Sequence, residues 1–88
     1  MPMNKTKTIH NQEYSNLIDM LGQERKRLGL SQTEVARRLN MTQSDISKIE
    51  SDERRLDVLE FKALLKVYRI GENLKLKELV TRFLELDK

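Results

Sequence analysis

Two helix-start signals, at Ser31 and at Thr42, lie so close together that the chain between them has room for only one short helix and a tight turn. Each is a hydroxyl residue followed three positions later by a carboxylate, Ser31 with Glu34 and Thr42 with Asp45. The hydroxyl accepts from a free N–H of the first helical turn, and the carboxylate can reach back to the N–H of the cap. Two starts at this separation force two short helices. Asn40 stands where the chain must leave the first of them, and Asn is among the few residues besides Gly that accept left-handed backbone at a helix end. That makes the turn about three residues long. Val35, Ala36 and Leu39 of the first helix then face Ile46 and Ile49 of the second, and Ala36 is small enough for close approach.

The outward face of the second helix carries the chemistry. At about 100° per residue, with Ile46 and Ile49 turned inward, the opposite side presents Ser44, Ser47, Lys48 and Ser51. Small polar side chains let a helix lie deep in a DNA major groove about 12 Å wide, where hydroxyls meet any base edge and a lysine such as Lys48 prefers guanine O6 and N7. An ordinary solvated surface is the bland alternative, but such a surface more usually carries long Glu and Lys pairs. Gln43, at the amino end, has an amide suited to adenine N6 and N7 or to a phosphate. Asp45 either caps the helix or accepts from cytosine N4, and the capping role is favoured. Gln32 and Thr42, at or beside helix starts, are placed for side chain and backbone N–H to bind phosphate oxygens.

Three blocks in register, LGLSQTEVARRL, TQSDISKIE and ERRLD, make roughly residues 14 to 70 resemble the helix-turn-helix domains of the Cro and phage-repressor type, the XRE family. Two positions depart from that pattern: Asn40 replaces the common turn glycine, and Asp52 stands where glycine often follows the recognition helix. Both residues tolerate left-handed geometry. The resemblance implies an all-α, compact five-helix domain of the lambda-repressor-like type that binds double-stranded DNA. It further implies Gln43 as a base contact, Gln32 and Arg54 as phosphate contacts with Arg55 as a neighbour, and Arg25 with Glu50 as a structural ion pair that orients the recognition helix. Removing only one partner of such a pair costs more than removing both, because a partly buried charge is left behind.

The rest of the chain fits a single domain. With 88 residues there is room for one modest core, and 38% hydrophobic content with one Pro and three Gly favours ordered helix. The first eleven residues lack periodicity and read as a flexible arm carrying Lys5 and Lys7; residues 12–88 form the domain, with its reading unit at about 31–50 and a last helix at about 74–86. Helix one runs from about Gln12 to Leu28 on Tyr14, Leu17, Ile18 and Leu21, and Gly29 ends it. Asp57 with Glu60 opens helix four, whose Val58, Phe61, Leu64, Leu65 and Tyr68 form a core stripe expected to stop at Gly71. Helix five carries Leu76, Leu79, Val80, Phe83 and Leu84, with Leu86 beyond, too apolar for one small core. Part should close the core and part should meet a second subunit, with a monomer as the alternative.

Charge sharpens the functional classes a little. The net charge is +3, and the excess lies in the stretch from Arg25 to Arg55, whose basic residues are Arg25, Lys26, Arg27, Arg37, Arg38, Lys48, Arg54 and Arg55. That is the sign phosphate contact requires. Absence of Cys excludes disulfides and thiolate metal sites, and no apolar run reaches membrane-span length. His10, the only histidine, sits in the arm, and no phosphate-binding glycine loop, metal-ligand cluster or nucleophile-base set can be assembled, so neither catalysis nor a cofactor or metal is expected. The expectation is a dimeric repressor or autoregulator in the cytoplasm, of bacterial, phage or plasmid origin, binding an inverted repeat without a small-molecule effector or a membrane. The alternatives are an antitoxin with a toxin partner, a restriction-modification controller, or a protein-interaction module that has lost DNA binding.

Overall fold

Asn11 begins the first helix by accepting from the Tyr14 N–H at 2.9 Å, and α1 (Gln12–Arg27) ends where Gly29 turns left-handed at φ 74°. The computed structural model describes residues 11–85, so Lys5, Lys7 and His10 of the arm, and Leu86 at the other end, lie outside the described residues. After α1 come α2 (Gln32–Leu39), α3 (Gln43–Glu50), α4 (Val58–Val67), a single 3-10 turn at Ile70–Glu72, and α5 (Leu74–Phe83). The domain is all-α over the described residues. No helix among them is long and apolar enough to cross a membrane.

The caps show why the helices start where they do. Thr42 accepts from the Asp45 N–H at 3.0 Å while Asp45 accepts from the Thr42 N–H at 3.2 Å, and Asp57 with Glu60 closes the same reciprocal pair. At the start of α2 only half of the device forms. Ser31 accepts from the Glu34 N–H at 3.0 Å, but the Glu34 carboxylate turns to Arg38 one turn on, at 3.1 Å. A nearby cation competes for a carboxylate better than an exposed N–H does. Between α2 and α3, Asn40 adopts φ 58°, and the Met41 N–H closes the helix end on the Ala36 carbonyl at 2.8 Å.

Every described helix contributes to one core, from Leu17, Ile18 and Leu21 of α1 through Val35, Ala36, Ile46, Ile49, Leu64 and Tyr68 to Leu76 and Val80 of α5. Two sequence expectations are corrected here. Val58 is in register with the stripe of α4 yet is 80% exposed, and Leu59 beside it is 78% exposed. The first turn of α4 stands at the rim of the domain, where a residue can lie on the apolar stripe and still have nothing opposite it. Nor does helix four run to Gly71. It ends at Val67, and Arg69, at φ 49°, makes the left-handed step, while Gly71 sits in the 3-10 turn with no positive φ. The reversal is placed by its flanks, because Tyr68 is buried and Asn73 is tied to α1.

That tie runs through Glu24, a buried carboxylate. It takes two hydrogen bonds from the Arg27 guanidinium, at 2.9 and 2.7 Å, and a third from Asn73 Nδ2 at 2.8 Å. Asn73 at the same time caps α5 by accepting from the Leu76 N–H at 3.1 Å. One amide thus fixes both where α5 starts and how it lies on α1. Along α5, Leu76 and Val80 are buried, Leu79 and Phe83 are half-buried against the core, and Leu84 is exposed.

Candidate nucleic-acid interface

With Ile46 and Ile49 each only 3% exposed, α3 is rolled so that Gln43, Ser44, Lys48 and Ser51 lie at the surface and Asp45 and Ser47 are half-buried. Lys48 has no carboxylate within ion-pair distance among the described residues. The Ser51 hydroxyl is already engaged, donating to Glu53 at 2.7 Å. Hydrogen bonds from Thr42, the backbone N–H first, hold the Asp45 carboxyl below the usual carboxylate range. A carboxylate so held stays charged next to Lys48 and caps the amino end of α3.

The amino ends of α2 and α3 are joined by side chains. Arg25 donates to both oxygens of Glu50, Nε to Oε2 at 2.6 Å and Nη2 to Oε1 at 3.0 Å, and also to the Leu30 carbonyl at 2.8 Å. Gln32 Nε2 donates to Glu50 Oε1 at 3.0 Å, and Gln43 Nε2 donates to Gln32 Oε1 at 2.7 Å. Burial by itself would raise the Glu50 carboxyl, but the bonds from Arg25 and Gln32 outweigh it and leave the group below its ordinary value. The first residue of α2 is therefore coupled to the first residue of α3 and, through Glu50, to α1.

Beyond α3 the chain turns at Asp52, φ 66°, and the loop is anchored on the start of α1. Ser15 donates to Asp52 at 2.5 Å, the Tyr14 hydroxyl accepts from the Leu56 N–H at 3.1 Å, and the Arg55 guanidinium lies 4.6 Å from the centre of the Tyr14 ring. Arg54 is not a bare cation. Its two terminal nitrogens donate to the two oxygens of Glu60 at 2.9 and 2.8 Å, so the residue that caps α4 also neutralises it. Nη1 also donates to the Arg55 carbonyl at 3.2 Å, so among the described residues two of its five N–H donors, at Nε and Nη2, remain for another acceptor.

The structure thus gathers Gln32, Thr42, Gln43, Ser44, Lys48 and Arg54 around the two helix starts and the following loop, with Ser47 on the same helix less exposed. Leu76 and Val80, named with Leu79, Phe83 and Leu84 for a subunit contact, spend their surface on the core of the protomer itself. Sequence reasoning missed the Gln32–Gln43 contact, the pairing of Glu60 with Arg54, and the buried Glu24. The first of these left a signal, since the two glutamines each follow a cap directly. A match to the family profile described as helix-turn-helix spans residues 21–74, from the middle of α1 to the start of α5. No curated protein matches the chain.

Proposed function

The chain belongs to the helix-turn-helix family, as a DNA-binding regulator of transcription of the XRE type, and from that premise we propose that it is a sequence-specific repressor or autoregulator that binds an inverted repeat as a homodimer. The observation that carries this reading is α3 itself. Isoleucines anchor it on one side, its other side is open, Lys48 lies on the open side with no ion-pair partner among the described residues, and Gln43 is held at its amino end by Gln32. Gln43, Ser44, Ser47 and Lys48 read base edges; Gln32, Thr42 and Arg54 grip phosphates; Arg25 and Glu50 keep α3 in place.

A shallow apolar groove lined by Val58, Phe61, Phe83 and Leu84 supports the dimer, because exposed apolar surface of this kind favours a partner. Binding of an inverted repeat requires the twofold copy to set two recognition helices about 34 Å apart, one turn of DNA. Selection of bound sequences from a random duplex pool is the direct test. An enriched inverted repeat with half-sites one helical turn apart, bound less tightly as salt rises, is the expected result. A pool that enriches nothing, or binding indifferent to salt, would sink the proposal.

A further inference from the structure

The hydrogen bonds that lead from Arg25 to Gln43 have a direction. A carboxylate can only accept, so Gln32 must meet Glu50 Oε1 through its Nε2, at 3.0 Å. Gln32 Oε1 is thereby turned toward Gln43, and a carbonyl oxygen also only accepts, so Gln43 must approach with Nε2, at 2.7 Å. Glu50 itself is kept ionised and in place by Arg25, which donates to both of its oxygens. One end of the series is anchored in charge, and every amide after it takes a single polarity. What Gln43 has left to offer is its Oε1 and the second N–H of Nε2.

An acceptor beside a donor is the complement of adenine N6–H and N7. Were the amide pair reversed, Gln43 would spend its oxygen on Gln32 and show two N–H groups outward, the complement of guanine O6 and N7. We propose that Glu50, acting as a positioning residue through Gln32, sets an adenine-over-guanine preference at the base pair read by Gln43. This rests on the reading of Gln43 as a base contact and adds what determines its choice. If the Arg25–Glu50 pair only oriented α3, weakening it would lower affinity for all sequences alike. A role in amide polarity instead alters one position of each half-site.

The test compares sequence profiles, selected from a random duplex pool, for the wild-type protein and the variants Q43A, E50Q and Q32M, each checked for helicity. Q43A identifies the position that Gln43 reads. E50Q keeps the size of the side chain but supplies a donor, so Gln32 can turn over; the adenine-over-guanine ratio at that position should fall about tenfold while other positions keep their preferences. Q32M cuts the series one link later and leaves Arg25 and Glu50 paired, so the same loss of preference is expected on top of a uniform weakening from its phosphate contact. Should E50Q fail to fold, Q32M decides alone. An altered Q43A profile beside unchanged E50Q and Q32M preferences overturns the role of Glu50 and leaves the base contact standing. A Q43A profile with no position altered overturns the base contact, and the role of Glu50 with it.

Discussion

Arg54 and Glu60 show how one side chain can serve two purposes. Glu60 accepts from the Asp57 N–H as a cap and from Arg54 as a counter-ion. Gln at this helix position caps as Glu does, so Glu60→Gln should preserve α4 while freeing the Arg54 charge. DNA binding should become tighter, and its logarithmic salt dependence steeper by up to about 0.9, whereas Arg54→Ala should weaken all sequences alike and flatten that dependence. A titration at several salt concentrations checks both, and identical slopes would remove Arg54 from the phosphate contacts. Glu24 makes a separate prediction. Hydrogen bonds from Arg27, opposed by burial and aided by Asn73, hold its carboxyl below the ordinary 4.5. The unfolded chain therefore takes up that proton first as acid is added, so the stabilisation is complete above about pH 4.5 and lost as pH falls through the lowered native value. Glu50 and Glu60 shift in the same direction. Melting temperature should drop in that acid window, and Glu24→Gln should lower it at neutral pH while making the acid drop shallower.

Helix ends matter here more than helix middles. Among the described residues four of them use left-handed backbone, at Gly29, Asn40, Asp52 and Arg69, and only the first is glycine. Asn and Asp take this conformation at modest cost, whereas Arg has no local hydrogen bond to offset the crowding of its Cβ. Arg69→Gly should accordingly stabilise the domain by about 0.5–1 kcal/mol, a rise of roughly 2–6 °C in melting temperature, after the extra entropy of an unfolded glycine is counted. Asn40→Gly should change it by less. Calorimetry of the two variants separates them, and a destabilised Arg69→Gly would mean that the exposed Arg69–Glu72 pair, at 3.7 Å, contributes more than its geometry suggests.

At the scale of the molecule, an open polar face on α3 coexists with an apolar rim. Val58 and Leu84 are 80% and 54% exposed on the groove that Phe61 and Phe83 share. Because Val58 contributes so little to the core, Val58→Asp should leave the melting of the protomer nearly unchanged while weakening self-association. Sedimentation equilibrium should show a dimer for the wild-type chain and a lighter species for the variant, with affinity for a full operator falling toward that for a half-site. Equal masses for both at every concentration would remove this groove from the subunit contact.

Helix starts and the inward side of α3 were legible in the amino-acid sequence, because a cap and its N3 partner act within one turn and apolar spacing reports the buried face of a helix directly. Asn40 was legible for the same reason, as a local conformational preference. Val58, Arg69, Glu24 and the Arg54–Glu60 pair were not. Whether a rim residue is covered, where a helix must stop for its neighbour to dock, and which carboxylate meets which cation depend on the placement of whole helices, and residue spacing along one helix carries no information about that. Gln32 and Gln43 lie between the two cases: their positions follow from the caps, but their contact, and the polarity that Glu50 imposes on it, exist only once α1, α2 and α3 have packed together.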